Sequence, residues 1–272
     1  MAKRRKIVTA GEMVYDVIYT MPTPKMERSK LKAVKQISAE AMAKWNCKSA
    51  ARQLELRIAS AFNYSDLVIT VTFDDEHLPD TQEQAKKCLQ IFFRQLRKHR
   101  KARNQELVYI YVPEGLHGDR RRHFHIFLNS TGEDLEIIKS LWIWGTQIDL
   151  SYVGDKGYEG WATYLSKERR EAPLNGKKMF VTSKNCPRPK IEYQIVDDGA
   201  SIEAPPGAVD VVDSANRNEY ASYRYLKYRM PSKVNKRSFF SGLKLPLTVC
   251  NDERKKRASL RKPQKKNIIA KE

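Results

Sequence analysis

The feature that most constrains the fold is the short alternating stretch His123–Leu128, His-Phe-His-Ile-Phe-Leu, which follows a run of three arginines. In an extended strand successive side chains point to opposite faces, so His123 and His125 share one face while the intervening apolar residues share the other. The apolar face can enter a core, and two imidazoles at this spacing can chelate a divalent metal. A partly buried strand with two incidental histidines fits the same six residues, so the neighbouring segments must decide.

Charge restricts the class of partner. Among 272 residues, 51 are Lys or Arg and 32 are Asp or Glu, which gives a net charge of +19. Such an excess attracts polyanions, and nucleic acid is the expected partner. A membrane is not expected, because no run of about 18 apolar residues occurs. The basic N-terminus is followed by no apolar segment, which predicts a cytoplasmic protein. The sequence contains no P-loop, so strand separation of duplex DNA would need another protein.

The first part of the chain predicts helices followed by a strand and a further helix. Residues 27–62 lack proline and glycine and place apolar residues at helical spacing, which predicts an amphipathic helical extension. Residues 67–73 alternate as a half-buried strand does. Asp80 and Glu83 have the spacing of a capping box, and an apolar stripe then predicts a helix to about residue 100.

The next part predicts two strands joined by a turn, a helix, a strand and a last helix. Strands are expected at 107–112 and at the histidine stretch, with a turn-rich connection over 113–119. A helix over 133–144 would end with Gly145 as its C-cap, and a strand over 147–153 and a helix over 161–171 follow. The order βαββαβ predicts an α+β fold, a ferredoxin-like or RRM-like antiparallel sheet with helices on one face.

This topology brings carboxylates to the two histidines. The first and third strands are central antiparallel neighbours, so the start of the third strand lies beside the end of the first, at Asp74, and beside the hairpin end of the second, at Glu114. A carboxylate added to His123 and His125 makes a mixed nitrogen and oxygen site suited to Mn²⁺ or Mg²⁺. Glu114 is the first candidate for the third ligand and Asp74 the second, although both residue types are also common in ordinary turns.

The last predicted helix carries a Tyr-x-x-Lys pattern at Tyr164 and Lys167, three residues apart and so on one helical face. A tyrosine hydroxyl with a pKa of about 10 is only roughly one-thousandth ionised at neutral pH, a deficit of about 4 kcal/mol. A nearby metal and a lysine beside the developing negative charge can offset that deficit. One tyrosine among 13 carries little weight alone.

In combination these features resemble a known family. His-Phe-His on a central strand and a later Tyr-x-x-Lys helix resemble the HUH endonuclease superfamily, in particular the rolling-circle replication initiators (Rep proteins) of bacterial plasmids and single-stranded DNA phages. The stretch Thr70-Val-Thr-Phe-Asp-Asp-Glu-His-Leu-Pro79 is similar to the first motif of phage-type members. The similarity spans roughly residues 67–173.

The resemblance implies a metal-dependent enzyme that nicks single-stranded origin DNA by transesterification and rejoins strands. His123 and His125, with a further polar ligand, would hold the metal, Tyr164 would become 5′-phosphotyrosyl, and Lys167 would stabilise charge. The free 3′-hydroxyl would prime rolling-circle replication by a host helicase and polymerase. Some relatives use two tyrosines four residues apart; here those positions are not tyrosine, so one nucleophile is expected.

Two other interpretations remain open at this stage. A non-catalytic RRM-like protein that binds single-stranded nucleic acid shares the βαββαβ order, although no RRM-type aromatic motif is evident. An HUH transposase or relaxase shares the chemistry and differs in biological setting.

The remaining residues predict accessory DNA contacts and the division of the chain. Residues 191–216 read as a linker or accessory element, and the alternating tyrosines and cations of 220–229 fit either base stacking or an amphipathic element with core tyrosines. We expect a basic N-terminal segment with a helical extension at 1–63, an endonuclease domain at 64–190, an accessory segment at 191–250 and a disordered basic tail at 251–272. The expected phosphate contacts are Arg120, Arg121, Arg122, Arg188 and Lys190.

Overall fold

The computed structural model describes residues 3–20, 39–115, 121–171, 178–197, 199–217 and 222–231. Within these residues the chain forms two antiparallel five-stranded sheets and five helices, so the predicted α+β class is confirmed. The strands are β1 Lys3–Ala10, β2 Met13–Thr20, β3 Leu67–Thr72, β4 Tyr109–Glu114, β5 His123–Leu128, β6 Ile148–Tyr152, β7 Val181–Thr182, β8 Lys190–Val196, β9 Val209–Arg217 and β10 Ser222–Arg229. The helices are α1 Ala39–Ala61, α2 Gln82–Ala102, α3 Asp134–Leu141, α4 Gly157–Leu165 and α5 Lys167–Glu171.

The central sheet has the predicted ferredoxin-like order. Its strands lie in the order β6-β3-β5-β4-β7, and β3 and β5 are antiparallel neighbours. The face that carries Ile69, Phe124 and Ile126 is buried under α2 and α3, whose stripes include Phe92 and Trp142. The two helices of the βαββαβ unit therefore cover one face, as the hydrophobic periodicity predicts.

The opposite face of the central sheet is also covered, which the sequence did not predict. Val68, Val112 and Phe127 pack there against α1, α4 and the β1–β2 hairpin. The apolar side chains of α1 that enter this second core are Leu54 and Ile58, both fully buried. Only the end of this face that carries the histidines remains outside the core, and this end holds the candidate site.

The second sheet combines the two ends of the described chain. Its order is β8-β1-β2-β10-β9, so a hairpin of residues 3–20 pairs with strands from residues 190–229. Residues 191–196 and 209–216, interpreted from composition as a linker or accessory element, are strands of this sheet, and the tyrosine-rich stretch becomes β10. Because these pairings join residues about 200 positions apart, no local pattern reports them.

The predicted helical extension is confirmed over residues 39–61, while Leu31, Val34 and Ile37, which were also assigned to it, lie outside the described residues. Within α1 the predicted apolar stripe divides. Its C-terminal half is buried, but Met42 and Trp45 face solvent, with Trp45 64% exposed. Helical spacing therefore identified the helix but not where it leaves the core.

Gly145 does not cap a helix, contrary to the prediction. Helix α3 ends at Leu141, with Trp142 as its C-cap residue. A Cβ at Gly145 would overlap the carbonyl oxygen of Thr72, so glycine is required there by the close approach of two backbones.

The cap of α2 lies one residue later than predicted. Thr81 Oγ1 accepts a hydrogen bond from Gln84 N at 3.2 Å, and Gln84 Oε1 accepts one from Thr81 N at 3.0 Å, so the capping box is Thr81–Gln84 and not Asp80–Glu83. We expect Thr81→Ala to lower the free energy of unfolding by about 1 kcal/mol and Asp80→Ala to change it by less than about 0.5 kcal/mol. Urea denaturation measures both, and a larger loss in Asp80→Ala would contradict the observed cap.

No helix in the described part of the chain is long and apolar enough to cross a bilayer. The basic tail expected at 251–272 lies outside the described residues.

Candidate metal and nucleophile site

Strand register brings two histidines and a glutamate together. In the central sheet His125 lies opposite Thr70 of β3, and His123 lies opposite Glu114 of β4. Side chains of directly opposite residues share a face, so these residues project from the same face of the sheet. Glu114 belongs to the last position of a strand rather than to a turn, because β4 extends two residues further than predicted.

The ligand atoms of the three residues converge. Glu114 Oε2 lies 3.1 Å from His123 Nε2 and 3.4 Å from His125 Nε2, and the candidate ligand atoms all lie within 4.8 Å of one another. Glu114 and His125 are buried, and His123 is half-buried. We call Glu114, His123 and His125 the triad.

The outer ring nitrogens of the histidines are held by hydrogen bonds. His123 Nδ1 donates to the Arg121 carbonyl oxygen at 2.8 Å, and His125 Nδ1 is hydrogen-bonded to Thr70 Oγ1 at 2.9 Å. When Nδ1 donates, Nε2 carries the lone pair and faces the carboxylate. Such outer contacts typically fix the orientation of metal-ligating histidines.

One nitrogen of the triad lacks a hydrogen-bond partner. His125 Nε2 is buried and makes no hydrogen bond within the described residues, because its approach to Glu114 lacks hydrogen-bond geometry. An unsatisfied buried polar atom is costly, and a bound cation would satisfy it. The donor set of two imidazoles and one carboxylate therefore fits a divalent metal ion.

The electrostatics of the triad favour a negative carboxylate between the imidazoles. Burial alone would raise the pKa of Glu114, but hydrogen bonds and charge from His123 and His125 outweigh it and lower this pKa to about 2. Burial would lower the pKa of His123, yet Glu114, the Arg121 carbonyl oxygen and the charge of Glu168 together raise it. The carboxylate is thus ionised at any ordinary pH and available as a ligand.

Tyr164 lies beside the triad. Its ring packs edge-on against the His125 ring with centroids 5.7 Å apart and against the Trp161 ring at 6.0 Å. Trp161 is buried and anchors α4, while Tyr164 is 46% exposed. The phenol is therefore positioned by a rigid helix and accessible to a large substrate.

Two lysines lie near Tyr164 in space or in sequence. Lys156 Nζ lies 5.0 Å from the centroid of the Tyr164 ring and 5.2 Å from that of Trp161. Lys167 is exposed and begins α5, since the helix breaks at Ser166 between it and Tyr164. The backbone bonds Ser166 N to Ala162 O and Arg170 N to Ser166 O keep helical spacing across that break.

Asp74, the second candidate ligand, is not brought into the triad. Its two carboxylate oxygens accept hydrogen bonds from the Thr146 backbone N at 3.1 Å, and one also accepts from Thr146 Oγ1 at 3.3 Å. The side chain therefore holds the loop between α3 and β6 against the end of β3.

The arginines before the histidine strand hold another loop. Arg121 donates to the Phe73 carbonyl oxygen at 2.8 Å and pairs with Asp75, and Arg122 donates to the Pro79 carbonyl oxygen at 2.7 Å. Both guanidinium groups thus fasten the segment that follows β3. Arg120 lies outside the described residues.

The other two expected phosphate contacts lie away from the histidine strand in sequence, near the start of β8. Arg188 is exposed, and Lys190 is exposed and pairs with Glu192 at 2.5 Å. The structure does not gather them into the triad.

Sequence reasoning missed Thr70 and Lys156. A signal for Thr70 existed, because strand parity places it on the side of β3 opposite the apolar residues that enter the α2 and α3 core. Lys156 had a weaker one: it precedes Gly160 by one helical turn, and a Cβ at Gly160 would lie 3.1 Å from Lys156 Cβ. The glycine leaves room for the lysine beside α4.

Comparison with protein families gives a match over residues 66–169 to the family of the replication-associated protein ORF2. The matched segment contains the triad, Tyr164 and Lys167 and covers less than half of the chain. It confirms the resemblance to rolling-circle replication initiators of the HUH type. Comparison with curated proteins and with solved structures gave no significant match.

Proposed function

Because residues 66–169 match the replication-associated protein ORF2 family, we propose that this protein is an initiator that nicks single-stranded DNA at a replication origin. The observation that supports the proposal is the convergence of the triad with an exposed tyrosine. Tyr164 lies against His125 in the only group of three metal-ligating side chains found among the described residues.

The proposed reaction is a transesterification. Tyr164 Oη loses its proton and attacks the scissile phosphorus, a new phosphorus–oxygen bond forms to the tyrosine, and the bond to the 3′-oxygen breaks. The 3′-oxygen takes up a proton and leaves as a 3′-hydroxyl, which primes synthesis. The phosphotyrosine retains the free energy of the broken ester, so attack by a 3′-hydroxyl on it rejoins strands without another energy source.

Glu114, His123 and His125 would hold the metal ion, and we propose Mn²⁺ or Mg²⁺ because the site combines imidazole with a carboxylate. When bound, the ion would supply Lewis-acid polarisation of a phosphate oxygen. Thr70 and the Arg121 carbonyl oxygen keep the two imidazoles in position.

Two cations are available for the charge that develops at the phenol and the phosphate. We assign Lys167 to this role, as the Tyr-x-x-Lys pattern indicates, and add Lys156, whose ammonium lies over the Tyr164 ring. A phenol at neutral pH must overcome about 4 kcal/mol to ionise. Neighbouring ammonium groups reduce that deficit by favouring the phenolate.

The test is covalent capture. The full chain is incubated with Mn²⁺ and a labelled single-stranded oligonucleotide from the origin, and the product is separated under denaturing conditions. We expect a protein–DNA adduct and a released fragment with a 3′-hydroxyl that a polymerase extends. A non-catalytic RRM-like binder would give neither product at any metal concentration, and that result would reject the proposal.

The Thr70 hydroxyl gives a subtler prediction. We expect Thr70→Val to weaken Mn²⁺ binding about tenfold, since removing an outer-shell partner of a ligating histidine typically reduces metal affinity 10–100-fold. Thr72→Val is the matched control, because Thr72 lies on the same strand face and makes no hydrogen bond to either histidine within the described residues. Isothermal titration measures both, and equal affinities for the two variants would show that Thr70 does not position His125.

A further inference from the structure

The second sheet has one face that carries tyrosines and cations outside the core. Cα partners place Arg4 opposite Tyr19 and Lys6 opposite Val17, and the same rows continue to β8 on one side and β10 on the other. Directly opposite residues of an antiparallel sheet share a face. We call this surface the tyrosine face: Arg4, Lys6, Val17, Tyr19, Tyr193, Ile195, Tyr223 and Tyr225.

The tyrosine face is only partly buried. Next to it on the same face, Val8 and Tyr15 are buried in the core under α1. Beyond that core, Tyr193 is 56% exposed, Tyr223 is 39% exposed and Ile195 is 74% exposed. A contiguous group of exposed aromatic and aliphatic side chains on a sheet is typical of a binding surface rather than of ordinary solvated surface.

Cations lie over the tyrosine rings. The Arg4 guanidinium and the Lys6 ammonium are each 5.8 Å from the Tyr193 ring centroid. From α1, the Arg52 guanidinium lies 5.5 Å from the Tyr225 ring centroid. Ring and cation are thus presented together, as a base and its phosphate require.

The charge of the tyrosine face is not neutralised. Its eight members include no carboxylate, and neither Arg4 nor Lys6 has an ion-pair partner in the part of the chain that the structure describes. On the opposite face of the same sheet the arginines are paired, Arg5 with Asp16 at 2.5 Å and Arg224 with Asp213 at 2.8 Å. The two faces differ in this respect, and only the tyrosine face suits an anionic partner.

Tyr223 and Tyr225 have the geometry of a stacking surface. Their rings are parallel within 7°, and their centroids are 6.4 Å apart. That spacing is close to twice the rise of about 3.4 Å per nucleotide. Unpaired bases can stack on such rings, whereas the bases of a duplex are already stacked within the helix.

We propose that the tyrosine face binds single-stranded DNA without sequence preference and so holds the strand on which the nicking site acts. The inference rests on the proposed function for the identity of the nucleic acid. The phosphates would contact Arg4, Lys6 and Arg52, and the bases would stack on Tyr193, Tyr223 and Tyr225.

The first experiment measures binding of the full chain to a labelled mixed-sequence single-stranded 20-mer by fluorescence anisotropy, with EDTA present. Tyr193→Ala and Tyr223→Ala should each weaken binding about tenfold, the typical effect of removing one stacking ring. Tyr193→Phe keeps the ring and should retain parental affinity. Trp45→Ala, which removes an equally exposed aromatic side chain elsewhere, should also bind as the parent does.

The second experiment varies salt. Replacing Arg4 and Lys6 by glutamine should reduce the slope of log affinity against log salt by about 1.4, because each phosphate contact on a single strand contributes about 0.7. Circular dichroism of each variant establishes that the fold is intact.

The outcomes separate the inference from the proposed function. Parental affinity in the Tyr193→Ala, Tyr223→Ala double variant would overturn the tyrosine face as a DNA surface, even if the parent forms the covalent adduct. Equal losses for a duplex of the same sequence, or tighter parental binding to the matching RNA, would overturn single-stranded DNA as its partner. Loss of single-strand affinity in the double variant, with no adduct formed by the parent, would support the inference and reject the nicking activity.

Discussion

Tyr164→Phe is expected to abolish the covalent protein–DNA adduct, with a loss of at least about a thousandfold in its rate of formation, as typically follows removal of an enzyme's nucleophile. The change deletes one oxygen and leaves the ring that packs against His125 and Trp161. Binding of single-stranded DNA and of Mn²⁺ should therefore stay within about twofold of the parent. Quenched time courses with labelled origin DNA, resolved on denaturing gels, measure the loss.

Tyr64→Phe is the matched control for this experiment. Tyr64 is 37% exposed, close to the exposure of Tyr164, and stacks against the Tyr158 ring rather than against a triad residue. The control should form the adduct at the parental rate. Adduct formation by Tyr164→Phe at more than a few per cent of the parental rate would assign the nucleophile to another residue.

Loss of metal binding on substitution of the triad is the second large effect. His125→Ala should weaken Mn²⁺ binding by at least about a hundredfold, because it removes a ligand and not merely the partner of one. Glu114→Gln should act similarly, since it removes the negative charge that lies between the two imidazoles. Adduct formation should fall with occupancy and recover in part at high Mn²⁺ concentration.

Thermal stability provides a readout that does not depend on activity. A ligand at a hundred times its dissociation constant stabilises the folded state by about 2.7 kcal/mol. Mn²⁺ should therefore raise the melting temperature of the parent and leave that of His125→Ala unchanged. His77→Ala, in the exposed turn at Asp75–His77, is the matched histidine control and should respond as the parent does. A parental metal response in His125→Ala would exclude the triad as the metal site.

The candidate site could be predicted to a considerable extent because its main constraints are local. Strand parity places His123 and His125 on one face, and the βαββαβ order makes β3 and β5 neighbours. Those two rules alone bring Glu114 next to His123. The Tyr-x-x-Lys pattern then pointed to Tyr164, which the structure places 5.7 Å from the His125 ring, centroid to centroid.

The choice between the two carboxylates needed the tertiary structure. Asp74 and Glu114 are equally near the histidines in topology, but they differ in their hydrogen-bond partners. Asp74 is held by Thr146, whereas the Glu114 carboxylate faces both imidazoles. The partner that captures Asp74 comes from a loop 72 residues away, so parity and element order contain no information about it.

The cap of α2 shows a smaller limit of the same kind. Asp80 and Thr81 are both good N-cap residues, and each is followed three positions later by a residue that completes a capping box. The structure selects Thr81. Sequence reasoning located the helix start to within one residue and could not distinguish two adjacent caps.

By itself the sequence determined the α+β class, the order of the central sheet, the face shared by the two histidines and the family that residues 66–169 match. These depend on side-chain alternation and on rules for consecutive elements, which act over short distances along the chain. Only the tertiary structure decided that the chain ends join in a second sheet, that Thr70 bonds His125, and that Lys156 lies over Tyr164. Each of those contacts depends on packing between distant segments, which leaves no periodic signal in the sequence.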